Sequence, residues 1–391
     1  MADKIKLGII GIGNMGTGHA INVAISKLCP KVELVAVADI NPQRLAWAKE
    51  ALPGVTCFDS ATEMLDSGLI DSCIVAVPHY FHPQYVTECL KRGIHVLTEK
   101  PAGVYTAQVR QMNECAAHAG VKFAIMFNQR TDPLFIKARE IVQSGQLGTL
   151  KRMVWIITNW YRTQAYYNSG SWRGTWNGEG GGVLLNQAPH NLDIWQWICW
   201  MPKSVRAVCT AGKYHNISVE DDVEIHAEYE NGMTATFISS TGETPGTNRL
   251  EITGDLGKIV LENGKLCWWK LEKSEREICF TSSEAFYAAK PEYEEFTAES
   301  VIGHPIVLEN FAEAILDGAA LIAPGEEGIR SLTLSNAAYL SSWENRTVEL
   351  PLDEQRYLEH LRALCKTEQE KNPVVPIPAG EGCADRWKVR W

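Results

Sequence analysis

The sequence predicts an α/β fold in two parts: a doubly wound parallel sheet at the N-terminus, then a domain built on a mainly antiparallel sheet. Three observations predict it. Strand-like and helix-like patterns alternate over residues 1–130, a glycine cluster follows the first strand-like run at once, and beyond Gly148 strand-like runs succeed one another across short turns. A chain of 391 residues, 45% apolar and 21% charged, is long enough for two globular cores.

The elements follow in order. Residues 5–10 form a β-branched apolar run, and "VELVAVAD" forms the next. Further strand-like runs occupy 71–78, 93–101 and 121–128, separated by helical patterns at 83–92 and 106–119. Strands joined through helices run parallel, and ligands of such sheets bind at the carboxyl ends of the strands. Past Gly148, "KRMVWIITNWYR", "KSVRAVCTAGKY", "DDVEIHAEYENG", "MTATFISSTG", "NRLEITGDLGKIVLENGKLCWWKL" and "EREICF" all look like strands, with Asn-Gly turns at 231–232 and 263–264. Helices are expected at 183–198, 303–318 and 326–345, and a last short one at 353–368. The proline-rich end, "KNPVVPIPAGEG" onward, is expected on the protein surface. The domains are expected to divide at 1–130, 131–352 and a tail of 353–391.

Gly11, Gly13 and Gly16 stand as G-x-G-x-x-G between the first strand and a helix. In that context the glycines permit a tight turn, close approach of a pyrophosphate and close helix–strand packing, so a dinucleotide is expected there. Asn14 and Met15 complete the loop. Asp39 ends the second strand, where a carboxylate accepts hydrogen bonds from ribose hydroxyls and repels a 2′-phosphate; NAD is favoured over NADP, although Arg44 stands nearby. Ile40 extends the same edge. The later strand ends bring Val77, Pro78, His79 and His82, then Glu99 and Lys100, then Asn128 to the cofactor side. At the nicotinamide end, a lysine such as Lys100 orients an alcohol and stabilises a developing alkoxide.

The second domain carries "GEGGGVLLNQAPHNLDIWQW" at 178–197. Asn186, His190 and Asp193 share a face if 183–198 is helical, and His190 is the natural base for a hydroxyl proton because imidazole titrates near neutrality. The preceding stretch, "NWYRTQAYYNSGSWRGTW", mixes aromatics with polar groups without helical or strand period. Tyr161, Trp172, Arg173 and Trp176, with Arg130, are expected to meet the apolar faces and hydroxyl edges of a sugar.

Other classes are disfavoured. Lys and Arg number 37 against 47 Asp and Glu, a net charge of −10 with no basic block, so no nucleic-acid partner is expected. No run is long and apolar enough for a bilayer, so no membrane partner is expected. The 11 cysteines are scattered without metal-ligand spacing, which predicts reduced thiols, a cytoplasmic protein and no metal.

Together the glycine fingerprint, Asp39, "VPHYFHPQYVTECLKRGIHVLTEKP", "FNQR" and "GGGVLLNQAPHNLD" resemble the Gfo/Idh/MocA family of sugar and cyclitol oxidoreductases. The resemblance implies a Rossmann domain and a C-terminal α/β domain whose large open sheet commonly forms the interface of a homo-oligomer, a dimer or higher. It also implies hydride transfer between nicotinamide and a secondary hydroxyl, with the motif lysine, here Lys100, orienting the substrate and the motif histidine, here His190, as acid/base. The family's usual D-x-x-x-H departs here to Asn186, expected to position substrate without bringing a charge. Within the family's range, oxidation of a glycoside at C3 to a 3-keto product is preferred. A redox glycosidase with tightly bound NAD and an inositol-type cyclitol dehydrogenase are the alternatives, and a non-catalytic dinucleotide sensor is the reading from another class.

Overall fold

The computed structural model describes residues 4–369. Its first sheet is wholly parallel: β1 (Ile5–Ile10), β2 (Val32–Ala38), β3 (Thr56–Phe58), β4 (Ser72–Val75), β5 (His95–Thr98) and β6 (Phe123–Ile125) lie in the order β3-β2-β1-β4-β5-β6. Both faces are covered, so these strands read as continuous apolar runs. In β1 only Lys6 reaches solvent, and every residue of β4 is buried. Helices Asn14–Ala20 and His82–Lys91 take the chain from the carboxyl ends of β1 and β4 back along the sheet. One covering helix comes from far away: Val307, Leu308, Phe311 and Ala312 of Gly303–Leu316 pack among Ile5, Leu7, Ile9, Ile74 and Leu97.

The second sheet joins β7 (Leu150–Ile157), β8 (Ser204–Ala211), β9 (Glu220–Glu228), β10 (Thr234–Ser240), β11 (Asn248–Gly254), β12 (Gly257–Glu262), β13 (Lys265–Lys270), β14 (Glu292–Thr297) and β15 (Val348–Glu349). Their order is β14-β13-β12-β11-β7-β10-β9-β8-β15, antiparallel throughout except where β10 runs parallel to β7. Here the side chains alternate. Val223, Ile225 and Ala227 of β9 are buried while Glu224, His226 and Glu228 face outward, the period-two signature of a sheet covered on one face.

Three expectations change. "EREICF", read as a strand, lies within the helix Glu275–Thr281, started by the Ser274 hydroxyl accepting from the Glu277 N–H at 3.1 Å. The strand that pairs with β13 comes later, at Glu292–Thr297, where acidic alternation hid it. The helix expected over 183–198 begins only at Pro189, whose missing N–H suits a first turn; 183–188 is a succession of turns, so Asn186 stands ahead of the helix that carries His190 and Asp193. The last helix, Glu354–Thr367, lies where expected, and the tail from residue 370 is outside the described residues.

Arg130, expected at the substrate, is instead a joint between the two domains. Its Nε and one Nη each lie 2.7 Å from an Asp193 carboxylate oxygen, and the other Nη lies 2.5 Å from Glu327. The guanidinium also covers the Phe127 and Trp197 rings, with its carbon 5.3 and 5.5 Å from their centroids. Trp197 thus continues the Asp193 stripe as a wall of this pair. A bidentate pair with both partners 1% exposed leaves an uncompensated charge if one is removed. Replacing Arg130 by Met is expected to destabilise the fold by about 3–5 kcal/mol, measured by urea unfolding, with the slope unchanged.

Candidate active site

The glycine loop between β1 and Asn14–Ala20 has the sterics of a cofactor cradle. Gly11 has φ +86°, and a Cβ there would stand 2.6 Å from the Ala76 carbonyl oxygen. At Gly16 a Cβ would meet the Gly11 oxygen at 1.9 Å, which forces glycine where helix and strand close up. Around Gly13 a Cβ would meet nothing within 4 Å, so this side of the loop is open to a ligand. Asn14 is exposed and Met15 half-buried beside it. The Asp39 carboxylate accepts from the Ile12 N–H and the Asn41 N–H, both at 2.8 Å, tying the loop to the end of β2. Ile40 is 90% exposed at that edge, and Arg44 is half-buried in the following helix.

Beyond Val77 and Pro78 the two histidines are engaged within the protein. His82, expected at the cofactor, has Nδ1 2.6 Å from the Pro101 oxygen and Nε2 2.7 Å from the Val77 oxygen, so it spans the ends of β4 and β5 instead. Burial pushes its pKa down, against the pull of these two carbonyls. His79 places Nδ1 2.9 Å from the Glu179 oxygen and packs edge-on to Trp172, ring centroids 5.4 Å apart.

Glu99 and Lys100 follow β5. Burial would raise the Glu99 carboxyl, but the His19 imidazole 2.7 Å away, His304 and Lys100 outweigh it and hold the pKa at about 2. Lys100 is half-buried, and its Nζ donates to the Asn186 carbonyl oxygen at 2.6 Å. Burial lowers its pKa to about 8, with Arg173 and Arg162 adding to the fall while Glu99 and Glu179 oppose it.

The glycine turn that delivers Asn186 and His190 is made by steric exclusion. A Cβ on Gly180, at φ +80°, would fall 2.3 Å from Val104, one on Gly181 2.2 Å from the Tyr339 hydroxyl, and one on Gly182 1.8 Å from the Glu220 oxygen. The Glu220 carboxylate accepts from the Gly182 N–H at 2.8 Å, the Leu184 N–H at 2.9 Å and the Tyr339 hydroxyl at 2.7 Å. Burial raises Glu220 to about 7 in spite of these donors. The Asn186 amide donates to the Tyr166 hydroxyl at 3.0 Å and contacts Glu179 Oε1. His190, 8% exposed, lies edge-on to Phe127, with ring centroids 6.4 Å apart. Burial, then Lys100 and His304, push its pKa well below the usual imidazole value.

Two buried polar atoms at this edge, His190 Nδ1 and Asn128 Oδ1, have no protein hydrogen-bond partner. With the open face at Gly13 and the aspartate ending β2, they fit a dinucleotide whose nicotinamide reaches the ends of β4 to β6.

The aromatic loop divides. Trp172 is half-buried, Tyr161 is 43% exposed, and the Arg173 guanidinium lies over both Trp172 and Tyr166, at 4.4 and 4.5 Å, while donating to the Tyr166 hydroxyl at 2.7 Å. Trp176, expected at the substrate, is core: its ring is edge-on to Tyr339 and Trp343, each centroid 5.6 Å away. The sequence reading missed His19, Glu179, Glu220 and His304. An acid between glycines at 179 and a histidine three residues past Gly16 were the available signals.

Fold and site together define a nicotinamide-dinucleotide oxidoreductase. The chain belongs to the Gfo/Idh/MocA family: residues 5–127 match "Oxidoreductase family, NAD-binding Rossmann fold" and residues 135–260 match "GFO/IDH/MocA C-terminal domain". It is 27% identical to myo-inositol 2-dehydrogenase of Thermotoga maritima over 88% of this chain and 98% of that one. It is 25% identical to the rhizopine catabolism protein MocA of Rhizobium meliloti over 86% and 94%. Among solved structures, the WlbA dehydrogenase of Bordetella pertussis, in complex with NADH and UDP-GlcNAcA, superposes with a TM-score of 0.76 at 25% identity, over 90% of this chain and all of that one. The chain is thus an NAD-binding oxidoreductase of the kind that acts on CH–OH groups. Among the described residues no helix is long and apolar enough to cross a membrane, and no cluster of three His, Cys, Asp or Glu could hold a metal.

The loop that carries Trp172 and Arg173 is held from the far end of the chain. Glu368 accepts from the Trp176 N–H at 2.7 Å and the Asn177 N–H at 2.9 Å, and Tyr80 donates to the Trp176 oxygen at 2.7 Å. Glu368→Ala is expected to raise KM by roughly tenfold with kcat little changed, the equivalent of one lost charge-assisted hydrogen bond. Steady-state kinetics at saturating NAD reads it.

Proposed function

We propose that the protein oxidises a secondary ring hydroxyl of a cyclitol or sugar to the ketone, with NAD as acceptor. The observation that carries the reading is the meeting of Lys100, Asn186 and His190 past the ends of the parallel strands, with the Lys100 ammonium 2.6 Å from the Asn186 carbonyl and the buried His190 ring near enough to feel the lysine charge. NAD, when bound, supplies the hydride acceptor. Lys100 donates to the hydroxyl oxygen and stabilises the alkoxide as the C–H bond weakens. His190 accepts the hydroxyl proton and returns it in the reverse direction. Its depressed pKa suits the task, because a base must be neutral before the reaction begins. The Tyr166 hydroxyl accepts from Arg173 and Asn186, with the Gln187 amide also approaching at 3.2 Å, and its O–H is left to donate to a second substrate hydroxyl.

Removal of Arg130 and Trp176 from the substrate wall leaves a compact set: Lys100, Asn186, His190, Tyr166, Trp172 and Arg173. That set favours a ring polyol of cyclitol or monosaccharide size, in keeping with the inositol dehydrogenases among the relatives. The glycoside reading keeps one specific support: Tyr161, 43% exposed on the same loop, offers a face for an aglycone. NAD is preferred to NADP because the Asp39 carboxylate at the end of β2 would repel a 2′-phosphate on the adenosine ribose. A panel of inositols, sugars and glycosides, followed by NADH absorbance and by mass spectrometry, tests the reading. NADH formation with loss of two hydrogens from an intact ring supports it; aglycone release without net NADH would establish a redox glycosidase, and binding of NAD with no turnover a sensor.

Lys100 sets the expected pH dependence. Its pKa is lowered, so the ammonium is present below about 8 and lost above it, while His190 is neutral across the neutral range. The kcat/KM for oxidation should therefore be level near neutrality and fall above about 8. Lys100→Met is expected to reduce kcat/KM by about two to four orders of magnitude. Lys100→Arg, which holds its charge in alkali, should lose the alkaline limb even if its rate is lower.

A further inference from the structure

We propose that Glu179 is a positioning residue for this reaction: its buried carboxylate, set against the Asn186 amide, supplies the negative charge that keeps the Lys100 ammonium seated on the Asn186 carbonyl. This rests on the oxidoreductase reading above and adds to it the residue that balances the lysine.

Glu179 is 1% exposed. A carboxylate so buried costs free energy unless donors and a counter-charge surround it. The Gly174 N–H donates to Oε2 at 2.6 Å, and the Asn186 amide contacts Oε1. Asn186 is the same residue whose backbone oxygen holds Lys100 Nζ at 2.6 Å, so carboxylate and ammonium sit on either side of one residue. The acid comes from within the glycine turn, seven residues ahead of Asn186. Its backbone oxygen faces His79 Nδ1 at 2.9 Å, which fixes the turn against the end of β4.

Lys100 needs such a charge. Burial works against its ammonium, and so do Arg173 and Arg162, while Glu99 and Glu179 work for it. His79, His190 and His304 also face it, and Lys100 helps to hold each of them neutral. Glu99 is committed to His19 at 2.7 Å. Glu179 is therefore the carboxylate that reaches Lys100 from the substrate side, through a side chain at 186 that carries no charge of its own.

The competing role is structural: Glu179 could do no more than fasten the loop at Gly174. A charge swap separates the two. Glu179→Gln should lower kcat/KM at least about tenfold and move its alkaline limb down by about one pH unit. Asn186→Asp alone brings two carboxylates into contact and should also be impaired. The double variant Glu179→Gln/Asn186→Asp returns one carboxylate and one amide to the same contact, in reversed order, and should recover the wild-type limb and most of the rate. Lys100 is also read without turnover, from the pH dependence of its labelling by an amine-acylating reagent, followed by peptide mass spectrometry. Its midpoint should fall in Glu179→Gln and recover in the double variant. Should Glu179→Gln not fold, Glu179→Asp, which keeps the charge but withdraws it from Asn186, should lower the midpoint by a smaller amount. A Lys100 midpoint unchanged in the single variants, or a double variant no better than Glu179→Gln, overturns the proposal. A wild-type protein that oxidises no ring polyol would overturn the ring-polyol reading alone, because the labelling midpoints would still decide the role of Glu179.

Discussion

The Glu220 carboxylate, at the start of β9, accepts hydrogen bonds from two backbone N–H groups of the glycine turn and from the Tyr339 hydroxyl of helix Gly328–Glu344. The placement of Asn186, and of the helix behind it that carries His190, depends on that arrangement. The turn can approach Glu220 only because residues 180–182 have no side chains, and the approach brings the Asn186 carbonyl to Lys100. A carboxylate buried among fixed donors cannot be moved without exposing or orphaning all of them. The turn is therefore rigid where a run of glycines would otherwise be loose, and the lysine of one domain is held by the backbone of the other.

Burial then sets the electrostatics. His190, His304 and His79 lie deep enough that their charged forms are disfavoured, and each is further disfavoured by the Lys100 ammonium. The carboxylates resolve differently: Glu99 finds an imidazole partner and stays ionised, while burial lifts Glu220 to about 7 against the N–H and hydroxyl donors that meet it. One lysine cation thus stands among neutral imidazoles. That division suits a reaction in which one group must donate to an oxygen while another accepts its proton.

The substrate side is built from both ends of the chain. His79 and Tyr80, at the end of the first sheet, and Glu368, just past the last described helix, hold the segment from Trp172 to Glu179. Trp176 is drawn into the core by Tyr339 and Trp343, and this anchors Trp172 and Arg173 on the outer side. The aromatic-rich stretch read as having no helical or strand period in fact holds a short helix, Gln164–Asn168, capped by Thr163, and which of its rings face a ligand depended on partners more than 150 residues away.

The sequence by itself determined what local chemistry can dictate. A β-branched run followed by Gly11, Gly13 and Gly16 admits few conformations, so the cofactor loop, the aspartate ending β2 and the lysine after β5 were readable in order, as were the alternating strands of the second sheet. Local pattern failed at "EREICF", where the Ser274 cap decided for helix, and at 183–188, where burial against Glu220 decided against one. Tertiary structure alone decided the fate of charged and aromatic side chains. Arg130 pairs with Asp193, His82 with two strand-end carbonyls, and Trp176 with Tyr339, because a buried polar or aromatic group is governed by whichever partner reaches it. Those partners are set by how sheets and helices stack, which no stretch of sequence records.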